Sequence, residues 1–297
     1  MAFVAALAVA QQGVHPDWAF PVADKDQPSV PESNEARHLP GSTKAYTPQQ
    51  IDDLSNPPDW YPDEHGSVPS IVQKGKGAVL ACGACHLMSG HGHPESADIA
   101  GMSADYIVQQ MTDFKSGARK DSARMNAIAK DITDADIKES AAWFAALKPG
   151  VWVKVVEADT VPKSYVSVKG RMRLPHPAGG TEPLGKRIIE LPDDAMKATS
   201  RDPHTGFTAY VPKGSIAKGK ALVASGGCET CHGDGLKGTP DFPRVAGLHP
   251  IYIVRQLSNL QSGVSAGDSA ALMKGIVTGM SEDDMIAIAA YAASLAP

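Results

Sequence analysis

All four cysteines of the chain stand in two tight pairs, each followed by a histidine: Cys82-Gly83-Ala84-Cys85-His86 and Cys228-Glu229-Thr230-Cys231-His232. Two thiols separated by two residues can each form a thioether to one vinyl-derived arm of a single porphyrin. The histidine directly after them then lies under the iron and supplies the proximal nitrogen. Zinc fits less well, because it needs four thiolates or a Cys/His mixture converging from paired knuckles. These pairs lie 146 positions apart, each in its own stretch of chain. A thiol redox motif would occur once, after a strand, and has no need of the histidine. The expectation is two covalently attached c-type haems, held by Cys82, Cys85, Cys228 and Cys231, with His86 and His232 on the irons.

A shift of 146 residues superimposes more than the motifs. Ala100-Gly101 falls on Ala246-Gly247, Tyr106-Ile107-Val108 on Tyr252-Ile253-Val254, Gln110 on Gln256, and Ser116-Gly117 on Ser262-Gly263. After a two-residue slip Met125 meets Met273, Asp136 meets Asp284 and Trp143 meets Tyr291. One unit therefore occurs twice, and the repeat sets the architecture.

Of ten methionines, Met125 and Met273 are the pair that recurs in this slipped register, 43 and 45 residues after the first cysteine of each motif. Each follows a polar, small-residue loop able to wrap the far face of the haem. A thioether there stabilises ferrous iron and raises the potential, so both are expected as sixth ligands. Met102 aligns with Leu248, Met111 with Leu257, Met280 with Ile132 and Met285 with Ile137, which marks them as apolar core positions. Tyr106, Gln110, Tyr252 and Gln256 lie four residues apart on the middle helices and are candidates for hydrogen bonds to haem propionates.

The elements that must position these residues read as helices. Helices are expected over Ile71–Leu80 and Ile216–Val223 ahead of the motifs, with Gly75 and Gly219 marking close packing against the rings of Trp143 and Tyr291. Thr133-x-x-Asp136 and Ser281-x-x-Asp284 resemble capping boxes that open a last helix in each unit. Met285, Ile288, Ala289, Ala292 and Leu295 then repeat at helical spacing.

At 297 residues, with 42% hydrophobic residues, 21% charged residues and a net charge of −5, the chain is globular and lacks the basic excess of a nucleic-acid binder. Residues 1–10, ending Ala8-Val9-Ala10, read as the remnant of a signal peptide. That run is too short to span a bilayer, which takes ~20 apolar residues. Residues 11–66 hold nine of 23 prolines, predicting a mostly extended arm with one short helix from Pro48 to Leu54. Residues 149–213 show short β-type runs at Trp152–Glu157, Tyr165–Val168 and Arg187–Glu190, read as a wrapping connector with a small hairpin. His176 and His204 read as surface loop residues.

With these motifs, both halves resemble class I cytochromes c, and the tandem resembles the bacterial di-haem c-four type. The likeness covers cytochrome domain 1 (67–148) and cytochrome domain 2 (214–297). It implies an all-α fold per haem, His/Met-ligated low-spin iron and one-electron shuttling in the periplasm, for example as part of a respiratory chain. In this family a proline past the haem histidine offers its carbonyl to the ring. Pro243 fits, whereas the first half has Ala97 at that register and Pro94 three residues before it. That difference predicts a poorer donor at His86 and a higher potential at the N-terminal haem.

The expected role is thus an electron carrier serving a redox protein partner such as a periplasmic dehydrogenase, an oxidase or a membrane complex. The alternatives are a cytochrome subunit of a dehydrogenase complex, or an enzyme such as a di-haem peroxidase or a sulfur-compound dehydrogenase. A peroxidase needs an open iron position, and a sulfur-oxidising site commonly shows a cysteine ligand. Both repeats offer methionine, and no cysteine is spare.

Overall fold

The fold is that of a computed structural model, which describes residues 14–20, 22–30, 33–121, 123–168 and 171–297. The leader expected over residues 1–10 lies outside them. In the arm, β1 (Arg37–His38) pairs antiparallel with β2 (Ala45–Tyr46). Helix α1 (Pro48–Ile51) opens at Thr47 with a reciprocal capping box to Gln50 and proline at its first position. Leu39, Ile51, Trp60 and Tyr61 bury a small core of their own. The Trp60 Nε1–H donates to the Ser200 carbonyl at 2.7 Å, which fastens the arm to the connector.

The helix expected over Ile71–Leu80 is cut short. Helix α2 runs only Ser70–Gln73, and Lys74 is already extended. Arm residues take over the backbone: the Gly75 amide donates to Ser55 O at 2.7 Å and the Ala81 amide to Leu54 O at 3.0 Å. Gly75 here serves a tight turn, since a Cβ on it would lie 2.4 Å from the Val79 carbonyl oxygen. Helices α3 (Gly83–His86), α4 (Ala104–Ser116), α5 (Met125–Asp131) and α6 (Asp134–Ala146) complete the first unit. Thr133 caps α6 by accepting from the Asp136 amide at 3.1 Å.

The connector is a folded β-module, more than the small hairpin expected there, while the two repeat units are built of helices. Strands β3 (Val153–Glu157), β4 (Thr160–Pro162), β5 (Ser164–Val166), β6 (Arg173–Pro175), β7 (Thr181–Pro183) and β8 (Ile189–Pro192) precede helix α7 (Ala195–Thr199) and strand β9 (Phe207–Val211). A three-stranded sheet runs β3-β9-β8, with β3 parallel and β8 antiparallel to β9, and β4-β7 and β5-β6 form two-stranded ribbons. Alternate residues of β9, namely Phe207, Ala209 and Val211, are buried, as a half-covered strand requires. Trp152, Tyr165, Leu174 and Phe207 belong to a core of the module itself. A separate interior of this kind is more than a wrapping hairpin.

The second unit holds α8 (Ser215–Ser225), α9 (Cys228–His232), α10 (Pro250–Ser262), α11 (Asp268–Val277) and α12 (Glu282–Ser294). Ranges α4 and α10 differ by the repeat shift of 146, and α6 and α12 by 148. The Ser281/Asp284 capping box is present, and Met285, Ala289 and Ala292 are fully buried. Helices α8 and α12 cross at Gly219, where a Cβ would fall 1.9 Å from the Ala287 carbonyl oxygen and 2.8 Å from Tyr291 Cβ. Gly219→Ala is therefore expected to destabilise the second unit by about 3 kcal/mol, the upper end of ordinary overpacking. Thermal unfolding followed by far-UV circular dichroism reads this loss, and an unchanged midpoint would contradict the close crossing.

Candidate haem-binding sites

Each attachment motif is wound into one turn of helix. The Cys82 backbone is helical (φ −59°, ψ −39°), and the His86 amide donates to Cys82 O at 3.0 Å. The second motif occupies the whole of α9. Residues three and four apart share a helix face, so both thiols and the ring of a motif lie on one side. The chain leaves that face at once through a positive φ, 62° at Leu87 and 73° at Gly233. Leu87 adopts a conformation that side chains rarely take, and its side chain is buried in the core of the β-module.

The decisive geometry is at the imidazoles. His86 Nδ1 lies 2.8 Å from the Ala97 carbonyl oxygen, and His232 Nδ1 lies 2.8 Å from that of Pro243. A carbonyl only accepts, so each Nδ1 carries the proton and each Nε2 keeps the lone pair that a metal needs. Burial holds His86 below its ordinary pKa, opposed by the Ala97 carbonyl and the charge of Asp98, so the ring is neutral at pH 7. The donor set fits haem iron. The expected contrast between Pro243 and Ala97 is not found, because the acceptor is a backbone oxygen and alanine offers one in the same place. With it goes the reason for a higher potential at the N-terminal haem.

None of the four cysteines is engaged in a disulfide, so every thiol is available for thioether attachment. Burial pushes Cys82 up to about 12 and also raises Cys228. Among the described residues no group of three or more His, Cys, Asp or Glu side chains is arranged to hold a metal ion.

The two expected methionines come from different local structures. Met125 is the first residue of α5, half-buried, with its amide donating to Asp121 Oδ2 at 2.8 Å. Asn126 ties this loop down by donating to Phe114 O at 2.7 Å and Arg119 O at 2.9 Å. The loop before Met273 ends at Gly267, and α11 already covers the five residues ahead of it. Met273 packs half-buried against the main core. Met102, Leu248, Ile132, Met285 and Ile137 are buried, as core positions should be.

Tyr106, Gln110, Tyr252 and Gln256 surround a residue that sequence reasoning passed over. Arg119 donates to Gln110 Oε1 at 2.5 Å, to Gln256 Oε1 at 2.7 Å and to the Tyr252 hydroxyl at 3.3 Å. Burial opposes its charge, but Tyr252 and Tyr106 outweigh that and raise its pKa. Burial, reinforced by Tyr252, pushes the Tyr106 hydroxyl up to about 12.

The loops after α4 and α10 meet here. Lys120 N donates to Val264 O at 3.0 Å and Ala266 N to Ala118 O at 2.8 Å, which sets Arg119 opposite Ser265. Residues 119 and 265 are repeat equivalents, so a pseudo-two-fold axis passes between the units, as in an isologous dimer. A charged residue facing an uncharged one at the same register of a repeat was the available signal for this seam.

Two helical units, each with a cysteine pair and a histidine whose Nδ1–H is tied to backbone, define a c-type cytochrome. Comparison with known proteins agrees. The cytochrome c family model matches residues 216–296. Cytochrome c4 of Azotobacter vinelandii is 26% identical over 238 residues, covering 76% of this chain and 89% of its own. Cytochrome c-554(548) of Halomonas halodenitrificans is 34% identical over 82 residues, covering 27% of this chain and 96% of its own. The thiosulfate dehydrogenase electron acceptor of Thiomonas intermedia is 25% identical over 219 residues, covering 73% of this chain and 79% of its own. The chain belongs to the cytochromes c, as a bacterial di-haem cytochrome of the c4-like kind carrying covalently bound haem c. It is an electron carrier.

Proposed function

We propose that the protein works in the periplasm, accepting single electrons from a dehydrogenase, with His86 and Met125 ligating one haem iron and His232 and Met273 the other. The observation that carries this reading is the pair of imidazoles held by Ala97 O and Pro243 O, each with Nε2 free to bind iron. When bound, haem supplies a one-electron ferric/ferrous couple. The chain's own residues do the rest. The carbonyls fix ring orientation and raise ligand basicity, and a methionine thioether biases the couple toward the ferrous state. Arg119, with Gln110, Gln256 and Tyr252, closes the seam between the units.

A sulfur-oxyanion dehydrogenase is the partner class favoured by relatives that are thiosulfate dehydrogenase electron acceptors. The same relatives support a second reading, a cytochrome subunit of such a dehydrogenase, with the arm and β-module as docking surface. Among the described residues no helix is long and apolar enough to cross a membrane.

If Met125 and Met273 each hold an iron, the ferric protein is expected not to bind cyanide within the mixing time of a stopped-flow experiment. Rapid binding at one haem would favour a peroxidase-like enzyme instead. In the presence of thiosulfate and a thiosulfate dehydrogenase, both haems should become reduced, whereas a partner of another class would leave them oxidised.

A further inference from the structure

The residues whose carbonyls hold the two rings are each followed by a charged residue, and those two bind one another. Arg244 Nη2 donates to Asp98 Oδ1 at 3.0 Å, with the side chains only 4% and 1% exposed. Arg244 also donates to Ala246 O at 2.6 Å and to Ala100 O at 3.3 Å, while Asp98 Oδ1 accepts from the Ala100 amide at 3.1 Å. Positions 98 and 244 are repeat equivalents, as are 100 and 246, so this pair belongs to the same pseudo-two-fold arrangement as Arg119 and Ser265. A continuous path runs from the His86 ring through Ala97, Asp98, Arg244 and Pro243 to the His232 ring, made of covalent bonds, two ring hydrogen bonds and one buried ion pair.

We propose that the Asp98–Arg244 pair is a positioning bridge that clamps both proximal carbonyls and sets the two haem potentials apart. The proposal rests on the reading that His86 and His232 ligate the irons. Asp98 lies next in the chain to the carbonyl of the first site, where its negative charge stabilises ferric iron and lowers the potential. Arg244 lies next to the carbonyl of the second, where its positive charge does the opposite. Charges removed from water act strongly over such distances, because little solvent screens them. The ring-to-carbonyl distance is the same at both sites, 2.8 Å. A charge of opposite sign at the same register is therefore an asymmetry built into the ligand supports themselves.

Redox titration of the holoprotein, with the waves assigned by paramagnetic NMR, tests this. Asp98→Asn should raise the potential of the His86 haem by a tenfold change in electron affinity, or 59 mV for one electron. Arg244→Gln should lower that of the His232 haem by a similar factor. The exchange variant carrying both Asp98→Arg and Arg244→Asp can re-form the pair across the pseudo-axis, and it should narrow or invert the gap. Arg244→Lys, which keeps the charge, should preserve the order of the waves. If both single substitutions move the potentials in one direction, or the exchange leaves the gap unchanged, the bridge is only structural and the proposal fails. Should the single variants not fold, the exchange variant and Arg244→Lys still decide. Failure of the ligation reading would show separately, as wild-type spectra without imidazole-ligated low-spin haem.

Discussion

A variant carrying Cys228→Ala and Cys231→Ala should retain one covalently bound haem per chain in place of two. Nothing else in the chain can anchor the second porphyrin, since the remaining cysteines, Cys82 and Cys85, belong to the other unit. The loss should reach beyond stoichiometry. Helices α10, α11 and α12 contribute Leu257, Val277 and Met285 to a core that also includes Ile107 and Phe144 of the first unit. A unit emptied of its prosthetic group loses apolar contacts that a well-packed interior cannot recover by collapse, and the shared core passes that loss on. A pyridine haemochrome assay and the mass of the denatured chain read the count directly. Two haems surviving, or none in the wild type, would overturn the attachment assignment.

Replacing the two methionines proposed as iron ligands should produce the second large effect. Met125→His should lower the potential of the haem on His86, and Met273→His that of the haem on His232, each leaving the other wave in place. The sign follows from the ligand: a thioether favours ferrous iron, whereas a second imidazole donates more strongly and favours ferric iron. A fall on the order of 0.2 V is expected, about a quarter of the roughly 0.8 V range that axial ligands cover. Met273 is the sharper test, because it projects from within α11 whereas Met125 heads its helix. An unchanged wave after Met273→His would shift the assignment to another methionine near that core, such as Met280.

Features written in a few consecutive residues were legible before any fold was known. The attachment motifs, the capping box at Ser281, the cap at Thr133, the 146-residue repeat and the β-runs of the connector all depend on local spacing, and each has its counterpart in the structure. The helix after Pro69 was misread because its local pattern matches that of α8, yet arm residues Leu54 and Ser55 compete for its backbone from outside the window. Sequence pattern likewise marked the strands of the connector but not their parallel pairing of β3 with β9, which joins residues some fifty positions apart and creates a separate core.

The support of the proximal rings shows the limit most clearly. A proline was sought as the acceptor, but the atom that matters is a carbonyl oxygen, which every residue carries and no side-chain type reports. Only the folded path of the chain decides that Ala97 O stands where Pro243 O does. The same holds for Asp98 and Arg244, two unremarkable charges in sequence. Tertiary structure removes both from water and leaves each as the other's counter-ion. Residue types and spacing thus determined that this chain binds haem twice. The packing of one repeat against the other decided what holds the two ligand rings, because backbone oxygens and long-range charge pairs acquire their roles only when distant segments meet.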